Sequence, residues 1–136
     1  MRRNRGFTLI ELLVVLVILG LLAGLVGPRV LDRVGGAKTD TAAVQIEDLE
    51  RALELFVLDV GRYPTTEEGL EALVRAPAGV NRWNGPYLRR AQVPQDPWGR
   101  PFQYRFPGQH GVVDIWSLGA DGQPGGSGEN AEIGNW

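Results

Sequence analysis

The chain has 136 residues, 43% of them hydrophobic, which suffices for one modest domain plus one long helix and excludes a second independent domain. Cysteine is absent, so no disulfide framework, thiolate metal centre or cysteine nucleophile exists. Formal net charge is −2, and setting aside Arg2, Arg3 and Arg5 leaves eleven bases against sixteen acids, so the concentrated basic face that nucleic acid requires is missing.

Behind that basic start, Phe7 to Val26 (FTLIELLVVLVILGLLAGLV) runs for 20 residues with Glu11 as its one ionisable side chain. As a helix the run spans roughly 30 Å, the hydrocarbon thickness of a bilayer. The positive-inside rule then keeps the N-terminus cytoplasmic and exports the rest, into the periplasm or its equivalent. A cleaved secretory signal would be shorter and would end in an A-x-A pattern, which is absent here. A plain anchor leaves Glu11 unexplained. A carboxylate that far into an apolar span costs about 2.5–3.5 kcal/mol, so it calls for a partner or an interfacial position, and the nearest candidate partner is a free amine created at Phe7. Gly20 and Gly24 form a G-x-x-x-G that suits close helix approach, although two tolerated glycines in an apolar helix read equally well. Proline removes an i to i−4 hydrogen bond and clashes with the preceding turn, so Gly27-Pro28 is expected to interrupt the helix with a kink or a locally extended segment. Gly35-Gly36 weakens it again, by roughly 1 kcal/mol per glycine.

Ala42, Ile46, Leu49, Leu53, Phe56 and Val60 then recur at helical spacing, which predicts an amphipathic helix that Gly61 stops. Glu47 and Arg51 pair at i, i+4 on its solvated side. Thr65 and Glu68 have the capping-box spacing, with a short helix expected to about Arg75 and ended by Pro77 and Gly79. A connection rich in aromatics and proline follows, with Trp83, Pro86, Tyr87, Pro94, Pro97 and Trp98. Such aromatics pack over a small core more often than they form a sugar-binding platform. Phe102, Tyr104 and Phe106 alternate at period two, P-G-Q-H-G makes a turn, and Val112 to Trp116 returns, so a hairpin laid against the long helix is expected. His110, the one histidine, falls in that turn and reads as a solvated turn residue. Asp114 and Ser117 sit on one strand, where alternation separates their side chains, so no nucleophile, base and acid converge and no enzyme is expected.

The string RGFTLIELLVVLVILGLLAGLVGP resembles the class III leader and N-terminal helix of type IV pilins and type II secretion pseudopilins. The resemblance implies that a prepilin peptidase cuts after Gly6 and methylates Phe7. It also implies that Glu11 pairs with the N-terminal amine of a neighbouring subunit, and that the helix loosens at the glycine-to-proline stretch when subunits leave the bilayer. From GRYPTTEEGLEAL through GPYL and DPWGRPFQYRFPGQHGVVDIWSLGADGQPGG to IGNW, the remainder resembles the major pseudopilin of the type II secretion system. Type IV pilins and minor pseudopilins share the leader, and they form the alternative. Many true pilins close their C-terminal region with a cysteine pair, which this chain lacks. The implied organisation is a cleaved leader at 1–6, a transmembrane and filament-core helix at 7–27, and a periplasmic domain with its helical stem at 28–136. The implied fold is α+β, a long N-terminal helix on a small antiparallel sheet. The implied partners are further copies of the chain in a filament, the prepilin peptidase, the minor pseudopilins, the inner-membrane assembly platform and the membrane, and the implied task is export of folded periplasmic proteins.

The segment LGADGQPGGSGENAE, Leu118 to Glu132, has five glycines and oxygen donors at Asp121, Ser127, Glu129, Asn130 and Glu132. It lacks EF-hand spacing, and by itself it reads as a solvated acidic loop. The resemblance implies one bound calcium ion, a cation that takes six to eight hard oxygens. Leu118, through its carbonyl, and Asp121 match the family's LGADG string, and Ser127, Glu129 and Glu132 complete the implied set. Glu132 stands where the family shows aspartate, so coordination through it, through Glu129 or through Asn130 stays open.

Overall fold

A computed structural model describes all 136 residues, Met1–Trp136. The chain divides into two units, Met1–Gly35 and Gly36–Trp136, and one helix, α1 (Leu9–Val60), is assigned across the division.

In the first unit α1 starts from a reciprocal cap. The Glu11 backbone N–H donates to Thr8 Oγ1 at 3.2 Å and the Thr8 N–H donates to Glu11 Oε2 at 2.9 Å, which satisfies two of the donors that a helix start leaves open. Every side chain from Phe7 to Val26 is exposed, so nothing in this chain covers the apolar run. Of the two outcomes expected at Gly27-Pro28, the locally extended segment is absent, because α1 includes Pro28. Proline costs the helix one N–H and crowds the carbonyl four residues back, here that of Gly24, while the turns on either side keep their bonds.

In the second unit the apolar stripe of α1 is the core. Ala42, Ile46, Leu49, Leu53 and Phe56 are all at most 2% exposed, while Arg51 on the opposite face pairs with Glu47 at 3.6 Å and with Asp48 at 3.2 Å. Gly61 ends the helix: its φ of +86° is the left-handed conformation that suits glycine, and its N–H reaches the Val57 carbonyl at 2.8 Å. The capping box at Thr65 and Glu68 forms, with bonds of 2.9 and 3.2 Å, and Arg62 holds Glu68 from the other side at 2.7 and 2.8 Å. The helix expected after it shrinks to a 3-10 turn, Leu70–Leu73, because Gly69 at φ +60° leaves the helical region one residue beyond the box.

Trp83 and Tyr87 pack against the core, as expected of aromatics in a small domain. Each polar tip finds a partner, the indole N–H at the Ala72 carbonyl (2.7 Å) and the phenol O–H at Asp59 Oδ2 (2.8 Å). The hairpin is present with shorter strands than expected, β1 (Gln103–Arg105) and β2 (Asp114–Ser117), paired antiparallel with Tyr104 opposite Ile115. Ile115 and Val113 enter the helix core beside Phe102. A third strand, β3 (Ile133–Gly134), pairs with the other edge of β2 to give the order β1-β2-β3. Asn135 locks this return. Its backbone N–H donates to the Ile115 carbonyl, its Oδ1 accepts from the Ile115 N–H, and its Nδ2 donates to Glu50 Oε1 at 2.7 Å and to the Val113 carbonyl at 3.0 Å.

Candidate functional site

Two segments bear on function, one in each unit. In the first, Gly6 and Phe7 precede α1 in exposed chain outside any helix or strand. Glu11 already has a partner within its own turn, the Thr8 N–H, and so is not a bare carboxylate in an apolar span. The signal was present in the sequence, since Thr8 and Glu11 have the same T-x-x-E spacing as Thr65 and Glu68. Gly20 and Gly24 lie on exposed helix with open space beside them.

In the second unit the C-terminal loop runs from Leu118, just past β2, to Glu132, just before β3. The Ala120 N–H donates to the Glu129 carbonyl at 2.8 Å and closes it. Gly119 lies so near the returning chain that a Cβ there would stand 2.6 Å from the Ala131 carbonyl oxygen and 2.8 Å from that of Glu129. Asp121 Oδ1 accepts from the Gln123 N–H at 3.0 Å, and Glu132 Oε1 accepts from the Gly125 N–H at 3.3 Å. Ser127 precedes a 3-10 turn, Gly128–Asn130, that carries the exposed Glu129. No three acidic or histidine side chains converge in this arrangement. The donors are nonetheless hard oxygens throughout, on a closed loop, and hard oxygen is the donor type that calcium takes.

The loop rests on a turn that reading the sequence missed. Asp96 is 4% exposed. Its Oδ1 accepts from the N–H groups of Trp98 (3.1 Å) and Arg100 (2.9 Å), and its Oδ2 accepts from the Ser117 hydroxyl at 2.7 Å. Ser117 Oγ in turn accepts from the Gly119 N–H at 3.2 Å. Arg100 Nη1 donates to the carbonyls of Gly119 and Ala120 at 3.0 and 3.1 Å. The signal was D-P-W-G-R, a turn sequence with an aspartate able to bond the backbone ahead of it, but nothing in it pointed to a loop about 20 residues on.

Asp114 is fully buried and collects four donors: Arg105 Nη2 (2.9 Å), the N–H groups of Gln109 (2.8 Å) and His110 (3.1 Å), and His110 Nδ1 at 3.2 Å. Burial alone would push its carboxyl up, but the Gln109 N–H, the Arg105 guanidinium and the His110 backbone and ring together outweigh it and hold the group well below the usual carboxylate range. His110 is therefore more than a solvated turn residue. Its ring stacks on Trp136 with centroids 3.9 Å apart. The Ser117 hydroxyl is committed to Asp96, so the cluster arranges a turn and does not assemble a triad.

A capped apolar helix, exposed from Phe7 to Val26 and long enough to fit a single-pass membrane anchor, followed by an amphipathic helix that packs a three-stranded sheet, defines a pilin-like subunit. Residues 29–136 match the model of the family described as type II secretion system (T2SS), protein G, and residues 1–27 match the prokaryotic N-terminal methylation motif. The chain is 50% identical over 139 aligned positions to the type II secretion system core protein G of Pseudomonas aeruginosa, covering 99% of this chain and 96% of that one. It is 48% identical over 139 positions to the protein of the same name from Vibrio cholerae, covering 100% and 94%. The crystal structure of the major pseudopilin from the type 2 secretion system of enterohaemorrhagic Escherichia coli superposes with a TM-score of 0.67 at 38% identity, over 76% of this chain and 87% of that one. The chain belongs to the type II secretion system protein G family, the family of the major pseudopilin, whose members are structural subunits.

Proposed function

We propose that this chain is the bulk subunit of a type II secretion pseudopilus, which polymerises through its N-terminal helix to drive folded proteins across the outer membrane. The observation that carries the reading is the pairing of an N-methylation helix, with every apolar side chain from Phe7 to Val26 exposed, to a protein G domain over 29–136. Such a helix needs lipid before assembly and neighbouring helices after it. The subunit waits in the inner membrane as a single-pass protein, N-terminus inside and the domain in the periplasm. A prepilin peptidase cuts after Gly6 and methylates Phe7. Glu11 then exchanges or shares its cap with the amine of a neighbouring Phe7, and minor pseudopilins and the inner-membrane platform complete the assembly.

In the C-terminal loop the Leu118 carbonyl, Asp121, Ser127, Glu129 and Glu132 would hold calcium. The ion would supply the charge that lets the carboxylates share one loop, and it would offset the entropy of ordering a glycine-rich segment. Mass spectrometry of the membrane-extracted protein tests the reading. Loss of Met1–Gly6 with one methyl added at Phe7 is expected, and an intact, unmethylated N-terminus in cells that secrete by this route would overturn it.

A further inference from the structure

We propose that Arg100 is a positioning residue for the C-terminal loop, a cation built into the chain that fixes the Gly119–Gly122 turn so that the Leu118 carbonyl and the Asp121 carboxylate are presented to calcium. The proposal rests on the calcium reading above. Three independent features of the geometry support it. The guanidinium engages two successive carbonyls, those of Gly119 and Ala120, which are thereby withheld from the ion, and it bonds neither the Leu118 carbonyl before them nor the Asp121 carboxylate after them. It lies against bare backbone, since a Cβ at Gly122 would stand 2.5 Å from Arg100 Nε and 2.6 Å from Cζ, and Gly122 also has a φ of +66°. Finally, Arg100 is itself fixed, because Asp96 holds its backbone N–H and, through the buried Ser117 hydroxyl, also reaches the Gly119 N–H. The Asp96–Arg100 turn thus grips Gly119 by both its N–H and its carbonyl.

The consequence for binding is a matter of population. An ion that needs an ordered loop binds with an affinity reduced by the fraction of molecules in which the loop is ordered, so a residue that orders the loop in advance raises affinity without touching the ion. Arg100 also carries a charge that repels a cation. The two effects predict opposite results on its removal. Ordering several glycine-rich residues outweighs one solvent-screened repulsion, so removal weakens binding.

The test uses the full chain in detergent, with calcium affinity from titration calorimetry and loop order from hydrogen exchange of 118–131 in chelator. Exchange in 46–56 reports the core. In Arg100→Ala the calcium Kd rises roughly tenfold or more, loop exchange in chelator accelerates, and the core stays protected. Arg100→Lys keeps the charge but ends one bond short of Nη1, the atom that bonds both carbonyls, and its Kd also rises. Equal or tighter calcium binding by Arg100→Ala, or unchanged loop exchange in chelator, overturns the proposal and leaves the calcium reading standing. A wild-type chain that binds no calcium removes both. Should Arg100→Ala lose core protection, Arg100→Lys decides in its place, and wild-type affinity there overturns the proposal.

Discussion

Asp114→Asn isolates the buried carboxylate on which the β1–β2 connection turns. The substitution keeps the shape and removes the charge that faces Arg105 at 2.9 Å. It also sets an amide NH2 in place of one carboxylate oxygen, either Oδ1, which accepts the His110 N–H, or Oδ2, which accepts the Gln109 N–H. A lost charge-assisted bond costs about 1.5–3 kcal/mol, and a buried N–H left without an acceptor costs about 1–3 kcal/mol. Arg105 keeps 33% of its side-chain surface in water and recovers some solvation, which places the net loss near the low end of the range for a broken buried pair, about 3 kcal/mol. For a folded unit of roughly 100 residues that lowers the melting midpoint by more than about 10 °C. Near-UV circular dichroism of the full chain in detergent is the suitable probe, because the far-UV signal is dominated by α1. The dependence on pH has a definite sign. The folded carboxyl is held below its unfolded value of about 3.9, so its contribution is complete above that value and is lost as pH falls through the lower folded pKa. Wild type should lose stability in that acid window, and Asp114→Asn should lack that component. A variant midpoint within about 2 °C of wild type at pH 7 would show that the four donors are satisfied as well by a neutral group.

Replacing Gly6 with a bulky residue should leave an uncut precursor in the inner membrane, visible by its slower migration in gels, and normal filaments from it would contradict the processing reading. Glu11→Ala should insert at least as well as wild type while freeing the Thr8 N–H at a cost of about 0.5–2 kcal/mol, and filament yield should fall. Wild-type yield by electron microscopy would remove the pairing role. Calcium at a hundredfold excess over Kd should stabilise the wild type by about 2.7 kcal/mol in a thermal melt and magnesium should do less, while Asp121→Ala should melt near the chelated wild type in either. Equal midpoints in calcium and chelator would return the loop to a solvated acidic segment.

What was legible in the sequence was whatever depends on neighbours along the chain. The apolar run from Phe7, the stripe from Ala42 to Val60, the stop at Gly61 and the capping box at Thr65 are local patterns, and each is present. Local reasoning failed where one residue overruled a pattern, as when Gly69 cut the expected helix to a 3-10 turn, and no extended segment opened at Pro28, where α1 runs on. β3 is two residues long, too short for any periodicity to show, and it exists because Asn135 finds Ile115, Val113 and Glu50. The composition of the C-terminal loop was plain, but its foundation was not. Arg100 and Asp96 reach Gly119, Ala120 and Ser117 across about 20 residues of sequence, and such hydrogen bonds leave no spacing to read because their partners are chosen by the fold. The sequence alone therefore determined the apolar run, the core helix and the family resemblance, all carried by periodicity and motif. The tertiary structure decided which buried carboxylate holds which turn, because a long-range polar contact is set by where packing places its two ends.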